Sequence, residues 1–243
     1  MLAPLTERIP SRRIDPRERL IVALDVSSAT AAQKIVAAVG NSALTYKVGM
    51  QLYTAEGPQV VRELVSSGRS VFLDLKYHDI PNTVGAAVAE AARLGVKMLT
   101  VHASGSGKML RAAVEAASGY PELKILAVTV LTSMDLQDLE KIGIRGSVED
   151  TVVRLATIAV SNGCQGVVAS AREASTLRAE LGAEFTIVTP GVRPEGSHAG
   201  DQVRVVTPAE AIACGASHIV VGRPITEAAD PAAEARAILS QIS

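Results

Sequence analysis

Short apolar, β-branched runs recur at fairly even intervals along the chain: 20-LIVALDV-26, 44-LTYKVG-49, 70-SVFLDLK-76, 97-KMLTVHA-103, 124-KILAVTVLT-132, 166-GVVAS-170, 186-TIVTPG-191 and 218-HIVVG-222. Continuous apolar runs of this length suit parallel strands buried on both faces. Between them lie Ala-rich segments with helical spacing. In 81-PNTVGAAVAEAARLG-95, Pro81 suits a first helical turn and Gly95 a C-terminal stop, and 150-DTVVRLATIAVSNG-163 is a second example. Eight strand–helix alternations with no linker between them predict a single-domain α/β fold, a (β/α)8 TIM barrel over residues 20–243. An open doubly wound sheet accommodates that alternation less well.

The polar positions interrupt this pattern at one place in most units. In 73-LDLKYHDIPNT-83, Asp74, Lys76 and Asp79 follow directly on an apolar run. Residues two apart in a strand share a face, so Asp74 and Lys76 point the same way at the C-terminal end of the third strand. Asp25, Lys47, His102, Thr132, Arg193 and Arg223 stand at the same end of six other strands. Barrel enzymes keep their active sites at that end. One such residue is unremarkable on a surface; recurrence at the same end of most strands is not.

Asp25, Lys47, Asp74, Lys76 and Asp79 alternate in sign, so each lysine keeps a neighbouring carboxylate ionised and each carboxylate keeps a lysine protonated. An ion-pair network kept for stability is the alternative, although burying one is often no more stabilising than apolar packing. A fixed ammonium among fixed carboxylates is better suited to donating a proton. In 220-VVGRPIT-226, Gly222 and Arg223 follow the last strand and precede a helix, where main-chain N–H groups and a guanidinium meet a phosphate in many barrels. The segment 190-PGVRPEGSHAGDQVR-204 has the length and composition of a mobile lid, from which Arg193 and Gln202 are expected to reach a ligand. His102 is expected to pack behind the site, and His198 and His218 to play no part in it.

Composition narrows the classes. The chain is 48% hydrophobic, with 24 Lys and Arg against 25 Asp and Glu, four tyrosines, two phenylalanines and no tryptophan. Near-neutral charge without basic runs or aromatic platforms argues against nucleic acid. The longest uncharged stretch, residues 155–171, is broken by Asn162-Gly163-Cys164-Gln165-Gly166 and predicts a helix end and a strand rather than a membrane span. Cys164 and Cys214 match no metal-ligand spacing and are expected to be buried free thiols in a reducing cytoplasm. Residues 1–19 hold five arginines interleaved with acids and prolines, lack the apolar core of a secretory signal, and are expected to form a loose arm.

The run from Asp74 to Thr83 closely resembles the signature of the orotidine 5′-monophosphate decarboxylase family, in its bacterial form. So do 22-VALD-25, 46-YKVG-49, 128-VTVLTSM-134, 190-PGVRPEGSHAGDQ-202 and 221-VGRPIT-226, and the likeness spans residues from about 20 to 240. The resemblance implies a homodimeric barrel, free of cofactor and metal, that converts orotidine 5′-monophosphate to UMP and CO2 in pyrimidine synthesis. It implies that Lys76 protonates C6, that Asp74 lies beside the substrate carboxylate, and that Lys47 pairs with Asp74 and reaches the ribose. It further assigns Asp25 to a ribose hydroxyl, Thr132 to the pyrimidine, Gln202, Gly222 and Arg223 to the phosphate, and Arg193 to the lid. Asp79 and Thr83 would enter the site from the other subunit. Two alternatives stay open: a magnesium-dependent sugar-phosphate decarboxylase or hexulose-phosphate synthase of similar pattern, and a barrel that binds a nucleotide without catalysis. The first needs a carboxylate on the second strand, where this chain has Lys47.

Overall fold

A computed structural model of the chain describes residues 14–194 and 206–243. Among these residues eight parallel strands close into a barrel in sequence order: β1 (Leu20–Ala23), β2 (Thr45–Gly49), β3 (Ser70–Tyr77), β4 (Met98–His102), β5 (Lys124–Val128), β6 (Gly166–Val168), β7 (Thr186–Thr189) and β8 (His218–Val221). β8 pairs back onto β1, with Ile21 opposite Val220. The helices are α1 (Pro16–Arg19), α2 (Ala29–Val39), α3 (Met50–Glu56), α4 (Gln59–Ser66), α5 (Pro81–Arg93), α6 (Ser106–Ala116), α7 (Leu136–Lys141), α8 (Val148–Ser161), α9 (Ala171–Leu181), α10 (Pro208–Ala213), α11 (Arg223–Thr226) and α12 (Pro231–Ile242). The expected (β/α)8 architecture is the one observed, with paired helices after β2, β5 and β8 where one each was expected.

Several strands end before their apolar runs do. The run 124–132 leaves the ladder at Val128, and 20–26 leaves it at Ala23. Apolarity persists past those points because the following residues line a cavity (Val130) or pack on the core (Val26), which pattern alone does not separate from strand pairing. Helix starts follow local chemistry. Ser147 and Thr207 each accept from the amide three residues on, while Asp150 and Glu210 accept from the cap amides in return.

The core has two parts. Outside the strands a continuous apolar layer includes Ala91, Ala92, Ala113, Ala156 and Ala159, whose small side chains let the helices sit close to the barrel. Inside it, Ile21, Ala23, Phe72, Met98, Leu126, Val188 and Val220 fill the lumen. That plug gives the C-terminal mouth a solid floor. Gly166 on β6 is required by crowding, because a Cβ there would collide with the carbonyl oxygen of Thr186.

The described end of the N-terminal segment, residues 14–19, lies against the opposite face. Leu44 N–H donates to the Arg17 carbonyl at 3.1 Å, the Thr45 hydroxyl to the Glu18 carbonyl at 3.3 Å, and Arg19 Nη1 to the Ile242 carbonyl at 3.4 Å. Cys164 and Cys214 are free; Cys164 is buried, with its thiol pushed up to about 12, whereas Cys214 is only half-buried. No helix among the described residues is long and apolar enough to cross a membrane.

Candidate active site

The sequence places Asp74 and Lys76 where β3 loses its regular partner. Leu73 faces Leu99 on β4, but the next pair is Tyr77 with Val101, so the ladder shifts register across residues 74–76. Such bulges re-aim side chains beside active sites. Lys76 takes φ 51°, a left-handed conformation uncommon for a residue with a Cβ. Its amide donates to the Thr100 hydroxyl at 2.8 Å.

The charged groups meet just above the apolar plug. Lys76 Nζ lies 2.9 Å from both carboxylate oxygens of Asp74. Lys47 Nζ lies 2.7 Å from Asp25 Oδ1 and 3.9 Å from Asp74 Oδ2, so it bridges two carboxylates. The Thr100 hydroxyl donates to Asp74 Oδ1 at 3.0 Å. The Lys47 and Asp74 side chains are only 12% and 13% exposed, which weakens solvent screening of their charges, while Asp25 at 57% faces the opening. Gly49 makes room for this arrangement, because a Cβ there would stand 2.9 Å from Lys47 Nζ.

A cavity of about 600 Å³ opens over the cluster. Asp25, Lys47, Asp74, Lys76, Thr132, Arg193, Gly222 and Arg223 all line it, so eight positions picked from the sequence converge on one space. Apolar walls come from Val130, Leu131, Val168, Pro190 and Val192. The cavity thus combines a paired cationic and anionic floor, an apolar side and a second cation at the end of β8. It suits a ligand with a flat ring and a remote anionic group.

Other expected positions fall differently. Asp79 and Thr83 are exposed and outside the cavity lining, and the Asp79 carboxylate accepts from Ile80 N–H at 2.6 Å. Gln202 lies outside the described residues, as does the expected lid from residue 195 onward. Arg193 is buried, and its amide donates to the Val206 carbonyl at 3.0 Å. His102 does not line the cavity; its ring sits 5.3 Å from that of His78, and burial, then His78 and Lys76, lower its pKa. Thr100 carries no sign of its role in the sequence beyond its alternation with His102 along β4, which turns it to the same side of the strand. The apolar walls likewise carry no distinguishing pattern in the sequence.

Residues 18–238 match the model of the orotidine 5′-phosphate decarboxylase / HUMPS family. Orotidine 5′-phosphate decarboxylase of Afipia carboxidovorans is 52% identical over 229 residues, covering 94% of this chain and 96% of that protein. That of Moorella thermoacetica is 50% identical over 237 residues, with 95% and 94% covered. The crystal structure of orotidine 5′-phosphate decarboxylase from Lactobacillus acidophilus superposes with a TM-score of 0.84 at 37% identity, covering 93% of this chain and 99% of that one.

Proposed function

Because the chain belongs to the orotidine 5′-phosphate decarboxylase / HUMPS family, we propose that its barrel mouth converts orotidine 5′-monophosphate to UMP and CO2, with Lys76 as the proton donor. The observation that carries this reading is Lys76 Nζ, held 2.9 Å from both oxygens of a mostly buried Asp74 at the base of the cavity.

The reaction breaks the bond between C6 and the carboxylate carbon, and the electron pair stays on C6 as CO2 leaves. No imine or ring sink accepts that pair, so a preorganised cation beside C6 must stabilise it. Lys76 supplies the cation, gives one proton to C6 to form the new C–H bond, and regains a proton from solvent. Asp74 holds the ammonium in place and lies against the departing carboxylate. Lys47, bridging Asp25 and Asp74, orients the ribose hydroxyls together with Asp25. Thr132 contacts the pyrimidine. Gly222 and Arg223, with Gln202, bind the phosphate, and Arg193 steadies the segment that carries Gln202. Binding energy gained at the phosphate, remote from C6, is then available to the transition state.

Asp79 and Thr83 are exposed and outside the lining of their own cavity, which suits their entering the site of a second copy of the chain. In this reading the enzyme is a cytoplasmic homodimer with shared sites, serving pyrimidine synthesis. The magnesium-dependent alternative is disfavoured by Lys47, whose ammonium occupies the space between Asp25 and Asp74 and repels a divalent cation. The test is incubation with orotidine 5′-monophosphate after exhaustive chelation, following the ultraviolet change to UMP. Full turnover is expected; turnover that returns only with added magnesium contradicts the assignment.

A further inference from the structure

Thr100 lies in the middle of β4, fully buried, and does not line the cavity. Its hydroxyl nevertheless joins the two groups on which the reaction depends. It accepts the Lys76 amide at 2.8 Å and donates to Asp74 Oδ1 at 3.0 Å. The directions are fixed by chemistry: an amide only donates, so the single hydroxyl proton is left for the carboxylate. The contact falls where the β3–β4 ladder shifts register and Lys76 adopts φ 51°, a conformation that persists only where its surroundings hold it. The hydroxyl thus takes up an amide that the irregular ladder does not pair.

We propose that Thr100 is a positioning residue, whose one hydroxyl fixes the left-handed backbone of Lys76 and the carboxylate of Asp74 in a set relation before substrate arrives. The proposal rests on the decarboxylase reading for its kinetic consequence, but not for its structural one. If Thr100 served only to fill space, a side chain of the same shape would replace it without effect.

Thr100→Val keeps the shape and removes the hydroxyl, whereas Thr100→Ser keeps the hydroxyl and removes a methyl group. With Thr100→Val, kcat on orotidine 5′-monophosphate is expected to fall about 10- to 100-fold, since small misplacements of reacting groups have effects of that order. KM is expected to stay within about threefold, because no group that touches substrate is lost. Thr100→Ser is expected to recover most of kcat. Independently of turnover, hydrogen exchange at the Lys76 amide, followed by NMR in the free protein, is expected to quicken in the valine variant and return in the serine variant. A valine variant with kcat within about twofold of wild type overturns the proposal. So does a serine variant as slow as the valine one, or an unchanged exchange rate at Lys76. If Thr100→Val does not fold, Thr100→Ala against Thr100→Ser poses the same question about the hydroxyl. If the wild-type protein does not turn over orotidine 5′-monophosphate, the functional reading fails, and the exchange measurement still decides whether Thr100 holds Lys76.

Discussion

At the N-terminal end of the barrel Arg69, Arg178 and Lys124 donate to main-chain carbonyls and hydroxyls, and the ion pair there, Lys97 with Glu122, is a long and exposed one at 3.7 Å. Arg69 reaches the Ala43 carbonyl, Arg178 the carbonyls of Gly215 and Phe185 and the Ser217 hydroxyl, and Lys124 the Thr186 hydroxyl. The Lys124 tie reaches from β5 past β6 to β7, and the others anchor Arg69 and Arg178 to the segments that lead into the strands. At the C-terminal mouth, Lys47 and Lys76 instead face carboxylates at 2.7–2.9 Å beneath an open cavity. The apolar plug from Ile21 to Val220 separates the two ends. One set of charges closes the hydrogen bonds of the fold, and the other is concentrated where a ligand enters. Desolvating such a cluster brings no clear stability gain. Its retention is therefore better explained by chemistry at the mouth, and stability belongs to the base.

Variants can break that contrast or sharpen it. The largest effect expected short of the proton donor itself concerns Asp79. If the proposed shared-site homodimer is the active form, Asp79→Ala should be nearly inactive, like Lys76→Ala, yet mixing the two should restore activity. In the mixed dimer, the barrel of the Asp79 mutant keeps its own Lys76 and receives an intact Asp79 from its partner. Random reassortment makes half the dimers mixed, each with one complete site, so activity should return to about a quarter of wild type. Differently tagged chains that co-purify establish exchange. Mixed dimers that form and remain inactive would show that Asp79 serves its own barrel.

Arg223→Ala should have the next effect, a loss of about 1.5–3 kcal/mol, or roughly 10- to 140-fold in kcat/KM, typical of a charge-assisted hydrogen bond. A substrate analogue without the phosphate should show almost none of it. Equal losses on both substrates would move the contact elsewhere.

The smallest effect on turnover is expected at the base, where a substitution should touch stability alone. Burial first, then Lys124 and Arg19, hold His218 neutral down to about 3, against an ordinary value of 6.5, and its Nδ1 has no hydrogen-bond partner among the described residues. The unfolded chain therefore takes up a proton that the folded chain refuses. Stability should fall as pH drops from about 6.5 toward 3, by at most ~1.4 kcal/mol per pH unit from this residue. His218→Gln should flatten that part of the denaturation profile and leave kcat at neutral pH unchanged. A lowered kcat in a folded His218→Gln protein would mean that the two ends are coupled.

The same contrast explains what the sequence discloses. Strands and their order are legible because each buried run is apolar on both faces, and the mouth is legible because Asp25, Lys47, Asp74, Lys76 and Arg223 interrupt those runs at a common end. The strand ends are less so, since residues such as Val130 stay apolar as cavity wall. Thr100 hides because a threonine is an ordinary strand residue, and only the shifted register and the φ of Lys76 reveal what its hydroxyl does. His218 reads as idle, and its burial among cations depends on contacts between strands far apart in sequence.

The proposed reaction depends most directly on Lys76, and the measurement is kcat for Lys76→Ala on orotidine 5′-monophosphate, made beside its affinity for UMP and its thermal midpoint. Loss of both the proton donor and the local cation should lower kcat by at least roughly 100-fold, while the protein stays folded and still binds UMP. A folded Lys76→Ala protein within about tenfold of wild-type kcat would contradict the assignment of Lys76 as the proton donor.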